Sequence, residues 1–154
     1  MLIRTHLLIT LFFVLIFLSS AENKALFVAV ALISAFIPDV DTKFSKLGRK
    51  KVFRILQFFV KHRGFLHSFT FLLLAVLLFY LFLPVIVFPF LLGYGLHLIA
   101  DAFTIQGINP FYPFKKRWSW KIRTGGFLET IFFVVFLIAD LVLIFSMILN
   151  ISLI

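Results

Sequence analysis

From Gly64 to Phe114 the chain carries one formally charged side chain, Asp101, in an apolar run too long for a single membrane helix. About twenty such residues cross a bilayer, so the run must fold back on itself, and Pro84 and Pro89 mark where. In hydrocarbon every backbone N–H and C=O has to be paired inside the protein, which leaves helices or a closed barrel. The apolar stretches here are unbroken and lack the alternation of barrel strands. The chain therefore reads as an all-α, polytopic membrane helical bundle, a single integral membrane domain over residues 1–154.

Five spans are expected, at about 5–21, 24–38, 65–83, 85–103 and 127–149. The second is the shortest: Ala25 to Ile37 is stopped by Pro38 and rises only about 20 Å as helix. It must borrow its flanks or thin the bilayer locally. Gly93 and Gly95 offer close helix approach. Between Lys50 and Lys61, the residues Lys50, Arg54, Gln57 and Lys61 share one face opposite Val52, Phe53, Leu56, Phe59 and Val60. That pattern predicts an amphipathic interfacial helix. The first span has a rival reading as a signal peptide, since Ser19 and Ala21 supply a small-residue cleavage site; removal would discard His6.

With 63% hydrophobic residues the chain is not a water-soluble globule. It has no cysteine, so any metal must be held by imidazole and carboxylate. That donor set suits zinc first, with manganese or iron as alternatives, and one or two ions. The net charge of +9 is read as basic loops that set topology and touch anionic lipid headgroups, in preference to nucleic-acid binding. Lys43, Lys46, Arg49, Lys50, Lys51, Arg54, Lys61 and Arg63 lie between spans two and three. Lys115, Lys116, Arg117, Lys121 and Arg123 lie between spans four and five. Placing both loops inside puts the N-terminus in the cytoplasm and the C-terminus outside.

This topology gathers the ionisable residues at one interface. His6 opens span one, Asp39 and Asp41 follow span two, His62 and His67 open span three. His97 and Asp101 close span four, and Glu129 opens span five. The four histidines and four of the six acids are then all at one membrane depth. His97 and Asp101, at i and i+4, project from one helix face, where they can grip one metal or orient one another. Ionisable groups in membrane helices are costly and generally functional. Pro38-Asp39-Val40-Asp41 can be a solvated turn or a cation bridge. In His62-Arg63-Gly64-Phe65-Leu66-His67-Ser68 two imidazoles flank an arginine whose planar fork suits phosphate or carboxylate. Asp140 lies about 16 Å deeper than Glu129 and is left out of the site.

The ordered set Thr5-His6, Pro38-Asp39-Val40-Asp41, His62-Arg63-Gly64-(x2)-His67-Ser68 and Gly93-(x3)-His97-(x3)-Asp101-(x2)-Thr104-(x2)-Gly107 resembles the YdjM-type family of membrane-bound proteins regarded as metal-dependent hydrolases. The resemblance covers roughly residues 5 to 130. It implies a small multi-helix membrane protein with a hydrolytic metal site, and Glu129 after Gly125-Gly126 matches an acid the family tends to carry. More distantly, the His-(x3)-Asp pair is similar to zinc-dependent phospholipase C and related nucleases, which are soluble and richer in histidine.

The expected metal ligands are His67, His97 and Asp101, then Asp39, Asp41 and His6. His62 and Glu129 are expected as ligands, as groups orienting ligands, or as the general base, and Arg63 as the holder of an anionic substrate. A phosphoester such as a phospholipid is the expected substrate. Two alternatives stand beside the hydrolase: a metal or proton transporter, and a non-enzymatic membrane protein recruiting a partner through its basic loops.

Overall fold

The computed structural model describes residues 1–41, 64–114 and 116–149. His62, Arg63, Lys115 and the expected amphipathic helix from Lys50 to Lys61 lie outside the described residues, as does the side chain of Asp41. The described residues form five α-helices and no strand: α1 (Ile3–Phe17), α2 (Lys24–Ser34), α3 (Phe69–Phe82), α4 (Val87–Ala102) and α5 (Phe127–Ile148). A 3-10 turn, Leu18–Ser20, prolongs α1, and another, Pro84–Ile86, leads into α4.

Among the described residues, three helical stretches are long and apolar enough to cross a membrane: Ile3–Ser20, Pro84–Ala102 and Phe127–Ile148. The other two helices are shorter than the spans expected from sequence. Asn23 caps α2 by accepting from the Leu26 N–H at 3.0 Å, and the helix runs for 11 residues. It stops at Ser34, whose hydroxyl turns back to the Ala31 carbonyl at 2.9 Å. The chain then tightens into a 3-10 turn over Ile37–Asp41. At α3, Ser68 accepts from the Phe71 N–H at 3.2 Å and donates to the Phe65 carbonyl at 2.6 Å. That cap delays the helix until Phe69, leaving Phe65–His67 as a separate turn.

Ring contacts fix the helix directions. Phe12 meets Phe136 while Thr5 meets Glu129, so α1 and α5 run parallel. His6 stacks on His97 while Phe17 meets Phe88, so α1 and α4 are antiparallel. Phe79 meets Phe90 and Phe71 meets Tyr94 across the antiparallel α3–α4 hairpin. The start of α1, the end of α2, the start of α3, the end of α4 and the start of α5 therefore share one end of the bundle.

Helix α4 is the hub, packed against α1, α2 and α3. Its Gly93 is required by close approach to α2: a Cβ there would run into the Ala31 carbonyl and Ser34. Gly95 is different from the sequence expectation, because a Cβ there meets only Leu72 at an ordinary 3.7 Å. Leu72, Phe90, Tyr94, Leu98 and Ile108 form the largest buried apolar cluster. Outside it, Leu73, Leu77 and Leu81 of α3 and most of α5 present exposed apolar side chains, which in a bilayer face lipid.

Between α4 and α5 the chain makes a compact loop. Ile108 and Trp118 exchange backbone hydrogen bonds at 2.9 Å, and Ile105 donates to Ile122 at 2.9 Å. Gly107 takes a φ of +58°, a left-handed turn under which Trp118 and Ser119 pass too closely for a side chain. Phe111, Phe114, Trp118 and Trp120 point outward beside Lys116 and Arg117, the aromatic and basic mixture of a headgroup layer.

Candidate metal centre

At the shared end of the bundle four chain segments bring imidazoles and carboxylates together. His6 comes from the first turns of α1, Asp39 from the turn after α2, His67 from the turn before α3, and His97 and Asp101 from α4. The i,i+4 spacing of the last pair holds His97 Nε2 4.0 Å from Asp101 Oδ2.

His97 is the most constrained. Its Nδ1 lies 2.8 Å from the carbonyl oxygen of Ala35, the residue that ends α2. A carbonyl can only accept, so Nδ1 carries the proton and Nε2 presents a lone pair. The last carbonyls of any α-helix lack intrahelical partners, and here one of them orients a ring on another helix. Nε2 is buried with no hydrogen-bond partner among the described residues. It faces Asp39 Oδ1 at 4.0 Å as well as Asp101.

The other donors converge on the same volume. The His6 ring stacks on His97 with centroids 3.9 Å apart and planes 13° from parallel, and its Nε2 is 3.3 Å from Asp101 Oδ1. The Met1 amino group also pairs with that oxygen. His67 meets His97 edge-on at 5.7 Å and sets its Nε2 3.6 Å from Asp39 Oδ1. His6, His67, His97 and Asp101 are at most 1% exposed, while the Asp39 side chain is 23% exposed. Burial works to raise the Asp39 carboxyl, but the His67 hydrogen bond and the His97, His67 and His6 rings outweigh it and lower it to about 2.

Two sets of three donors have ligand atoms within 4.8 Å of one another: His6, Asp39 and His97, and His67, His97 and Asp101. Buried imidazole nitrogens facing carboxylates, one of them without a hydrogen-bond partner, are what a bound cation requires. The residues fit a divalent metal ion.

Glu129 lies beside this cluster and in neither set. Its carboxylate accepts from the Leu2 N–H at 2.5 Å, the Thr5 hydroxyl at 2.9 Å and the Gly125 N–H at 2.6 Å. It thereby latches the start of α1 to the start of α5, where a negative charge also suits the helix N-terminus. Asp140 is apart from the cluster, 2% exposed, and neither oxygen has a hydrogen-bond partner among the described residues. Two supporting groups escaped sequence reading. The Ala35 carbonyl leaves no side-chain signal; Tyr94, one turn before His97, donates its hydroxyl to the Leu66 carbonyl and pins the His67 turn to α4. Thr104 donates to the Asp101 carbonyl at 2.7 Å and accepts from the Gly107 N–H at 3.1 Å, tying the end of α4 to the basic loop.

Fold and site together define a helical membrane protein whose buried histidine–aspartate cluster can hold a metal ion. The chain belongs to the YdjM inner membrane protein family, whose model matches residues 1–153. It is also similar to the uncharacterized protein YvsG of Bacillus subtilis (strain 168), with 34% identity over 115 residues, 70% of this chain and 71% of the relative. No solved structure matches it.

Proposed function

We propose that the protein is a membrane-embedded, metal-dependent hydrolase acting on a phosphoester, with a phospholipid as the favoured substrate. The observation that carries this reading is the convergence of buried His97 Nε2, His6, His67, Asp39 and Asp101 on one volume. The ion is a divalent transition metal, with zinc, manganese and iron all compatible with imidazole and carboxylate donors. When bound, such an ion lowers the pKa of a coordinated water and withdraws charge from a phosphoryl oxygen.

The chain's own residues account for the rest. His6, His67, His97 and Asp101 seal the site from bulk solvent, and Asp39 forms its more open side. An ionised Asp39 beside the His67 ring keeps a carboxylate donor on that open side, and the proton released from water during attack on phosphorus would pass to a general base, the role read from sequence for His62 or Glu129. Ester cleavage then passes an electron pair to the leaving oxygen, which takes up a proton. Lys116, Arg117, Lys121 and Arg123 lie on the loop that begins three residues after Asp101, so anionic headgroups gather at the level of the site. Loop charge supports a cytoplasmic location for that end of the bundle and for the N-terminus. The roles of His62 as a ligand, an orienting group or the general base, of Arg63 in holding substrate, and of Asp41 as a further ligand, remain part of this reading from sequence.

The test is a screen of lipid and nucleotide phosphoesters with purified, metal-loaded protein in lipid nanodiscs. Release of a phosphorylated headgroup or of phosphate, lost in Asp101→Ala, is the expected result. Metal-dependent uptake into proteoliposomes without hydrolysis of any phosphoester would replace the hydrolase with a transporter.

A further inference from the structure

Where the loop between α4 and α5 meets the bundle there is a cavity that the histidine–aspartate cluster does not use. Its volume is about 500 Å³, and its walls include Phe69 at the start of α3, Ile99 and Phe103 at the end of α4, and Arg117, Trp118 and Trp120 of the loop. We propose that this cleft binds one anionic phospholipid from the surrounding bilayer, with an acyl chain against Ile99 and Phe103 and the headgroup phosphate on Arg117. The site is separate from the candidate metal centre. His97 and Asp101 are buried on one face of α4, whereas Ile99 and Phe103, two residues beyond each, are 47% and 50% exposed.

The walls are held in place by backbone bonds. The Phe69 N–H donates to the Pro110 carbonyl at 2.8 Å and the Thr70 hydroxyl to the Tyr112 carbonyl at 3.0 Å, which fastens the loop to α3. Trp118 exchanges bonds with Ile108, and the Trp120 N–H donates to the Thr104 carbonyl at 3.0 Å. Largely pre-formed, mostly apolar cavities of about 300–1,000 Å³ are where small molecules bind. The outer surface of α3 is different: Leu73, Leu77 and Leu81 are exposed there on a helix without a charged residue.

Charge selects an anion. From Ala102 to Leu128 the chain carries Lys115, Lys116, Arg117, Lys121 and Arg123 and no acid. Arg117 Nη2 donates to the carbonyls of Ile105 and Gln106, which fixes the guanidinium. Its Nε and Nη1 have no partner among the described residues and can give charge-assisted hydrogen bonds to a phosphate oxygen. A small anion alone would leave the apolar walls wet. An anionic lipid satisfies both halves of the cleft, and aromatic and basic side chains together mark the headgroup level where such lipids lie.

The two tryptophans of the chain, Trp118 and Trp120, both line the cleft, so intrinsic fluorescence reports its occupant. The purified full chain is placed in phosphatidylcholine nanodiscs containing rising fractions of phosphatidylglycerol with brominated acyl chains, which quench tryptophan on contact. Saturable quenching is expected at a mole fraction about fivefold lower than with brominated phosphatidylcholine, the effect of one basic side chain at an anionic headgroup layer. Arg117→Gln should remove the difference. So should Arg117→Lys, which keeps the charge but loses the planar, fixed guanidinium. Ala102→Phe, which fills the cleft without changing charge, should do the same. Circular dichroism and gel filtration report that each variant is folded. Equal quenching by the two lipids in the wild type would overturn the proposal and leave only bulk lipid at the loop. A preference that survives both Arg117 variants would overturn it in favour of diffuse loop charge. Relief of quenching by inorganic phosphate or by an acidic peptide would assign the cleft to a soluble anion instead. No arm depends on phosphoester cleavage, so the hydrolase and the lipid site stand or fall separately.

Discussion

The ring of His97 on α4 is aimed by the carbonyl of Ala35 at the end of α2, 2.8 Å from Nδ1. The geometry of a candidate ligand thus depends on how closely two helices approach, and that approach is set one turn away at Gly93. Gly93→Ala would push a Cβ into the Ala31 carbonyl and Ser34. Overpacking of this kind costs about 1–3 kcal/mol, and disturbing a ligand's hydrogen-bond partner typically weakens metal binding about 10–100-fold. Gly95→Ala, with only Leu72 at 3.7 Å, is expected to leave both properties near wild type. Thermal unfolding and metal titration of the two variants side by side would check this.

Glu129 makes three hydrogen bonds as an acceptor, two of them from backbone N–H groups. Glu129→Gln replaces one accepting oxygen with a donor and opposes N–H to N–H. A loss of stability of about 1–3 kcal/mol is expected from the donor left unsatisfied. Metal binding should weaken less than in Asp101→Ala, because Glu129 supports α1 without joining the cluster. Equal losses of metal in the two variants would show that Glu129 is itself a ligand.

Asp140 presents the opposite case: a buried carboxyl on α5 with no hydrogen-bond partner among the described residues. Such a group is expensive to bury, and an apolar replacement of similar size is often neutral or stabilising. Asp140→Leu is therefore expected to unfold at the same temperature as wild type or higher, with metal content unchanged. A variant that folds but loses metal or hydrolysis would place Asp140 in the functional machinery.

Acid should release the metal before it unfolds the bundle. Ligands bind in their deprotonated forms, so protons compete with metal at the imidazole and carboxylate donors as pH falls. Asp39, lowered to about 2 from 3.8, stays ionised well into acid. Its depressed value contributes stability above pH 3.8 that is lost as pH falls through about 2. The expected order on acidification is metal loss first, then a later loss of folded structure to which Asp39 contributes. Metal content and circular dichroism followed on one titration would reveal any other order.

Much of this was legible because membrane helices obey simple constraints. The unbroken apolar runs and the prolines at 84 and 89 imply a helical hairpin, and the i,i+4 spacing of His97 and Asp101 implies a shared face. What the sequence could not disclose depends on backbone atoms and on neighbours distant along the chain. The aim of the Ser34 hydroxyl back onto the Ala31 carbonyl depends on backbone atoms of its own helix. The aim of His97 follows from a carbonyl, which is common to every residue type. Glu129 looked like a candidate ligand or base by position, and only the Leu2 and Gly125 amides beside it reveal its latch. Gly93 and Gly95 are alike in sequence context; only the presence of α2 against one of them tells them apart.

The five donors come from four segments joined through long stretches of chain, from His6 in the first turns of α1 to Asp101 near the end of α4. An ion bound by donors from several of these segments would act as a clasp on those stretches, favouring the folded form by mass action as metal becomes available. Until α4 enters the membrane during synthesis, the earlier histidines have no His97 to meet. The maturation of each copy, and its resistance to degradation afterwards, would thereby be coupled to how much metal the cell has to spare.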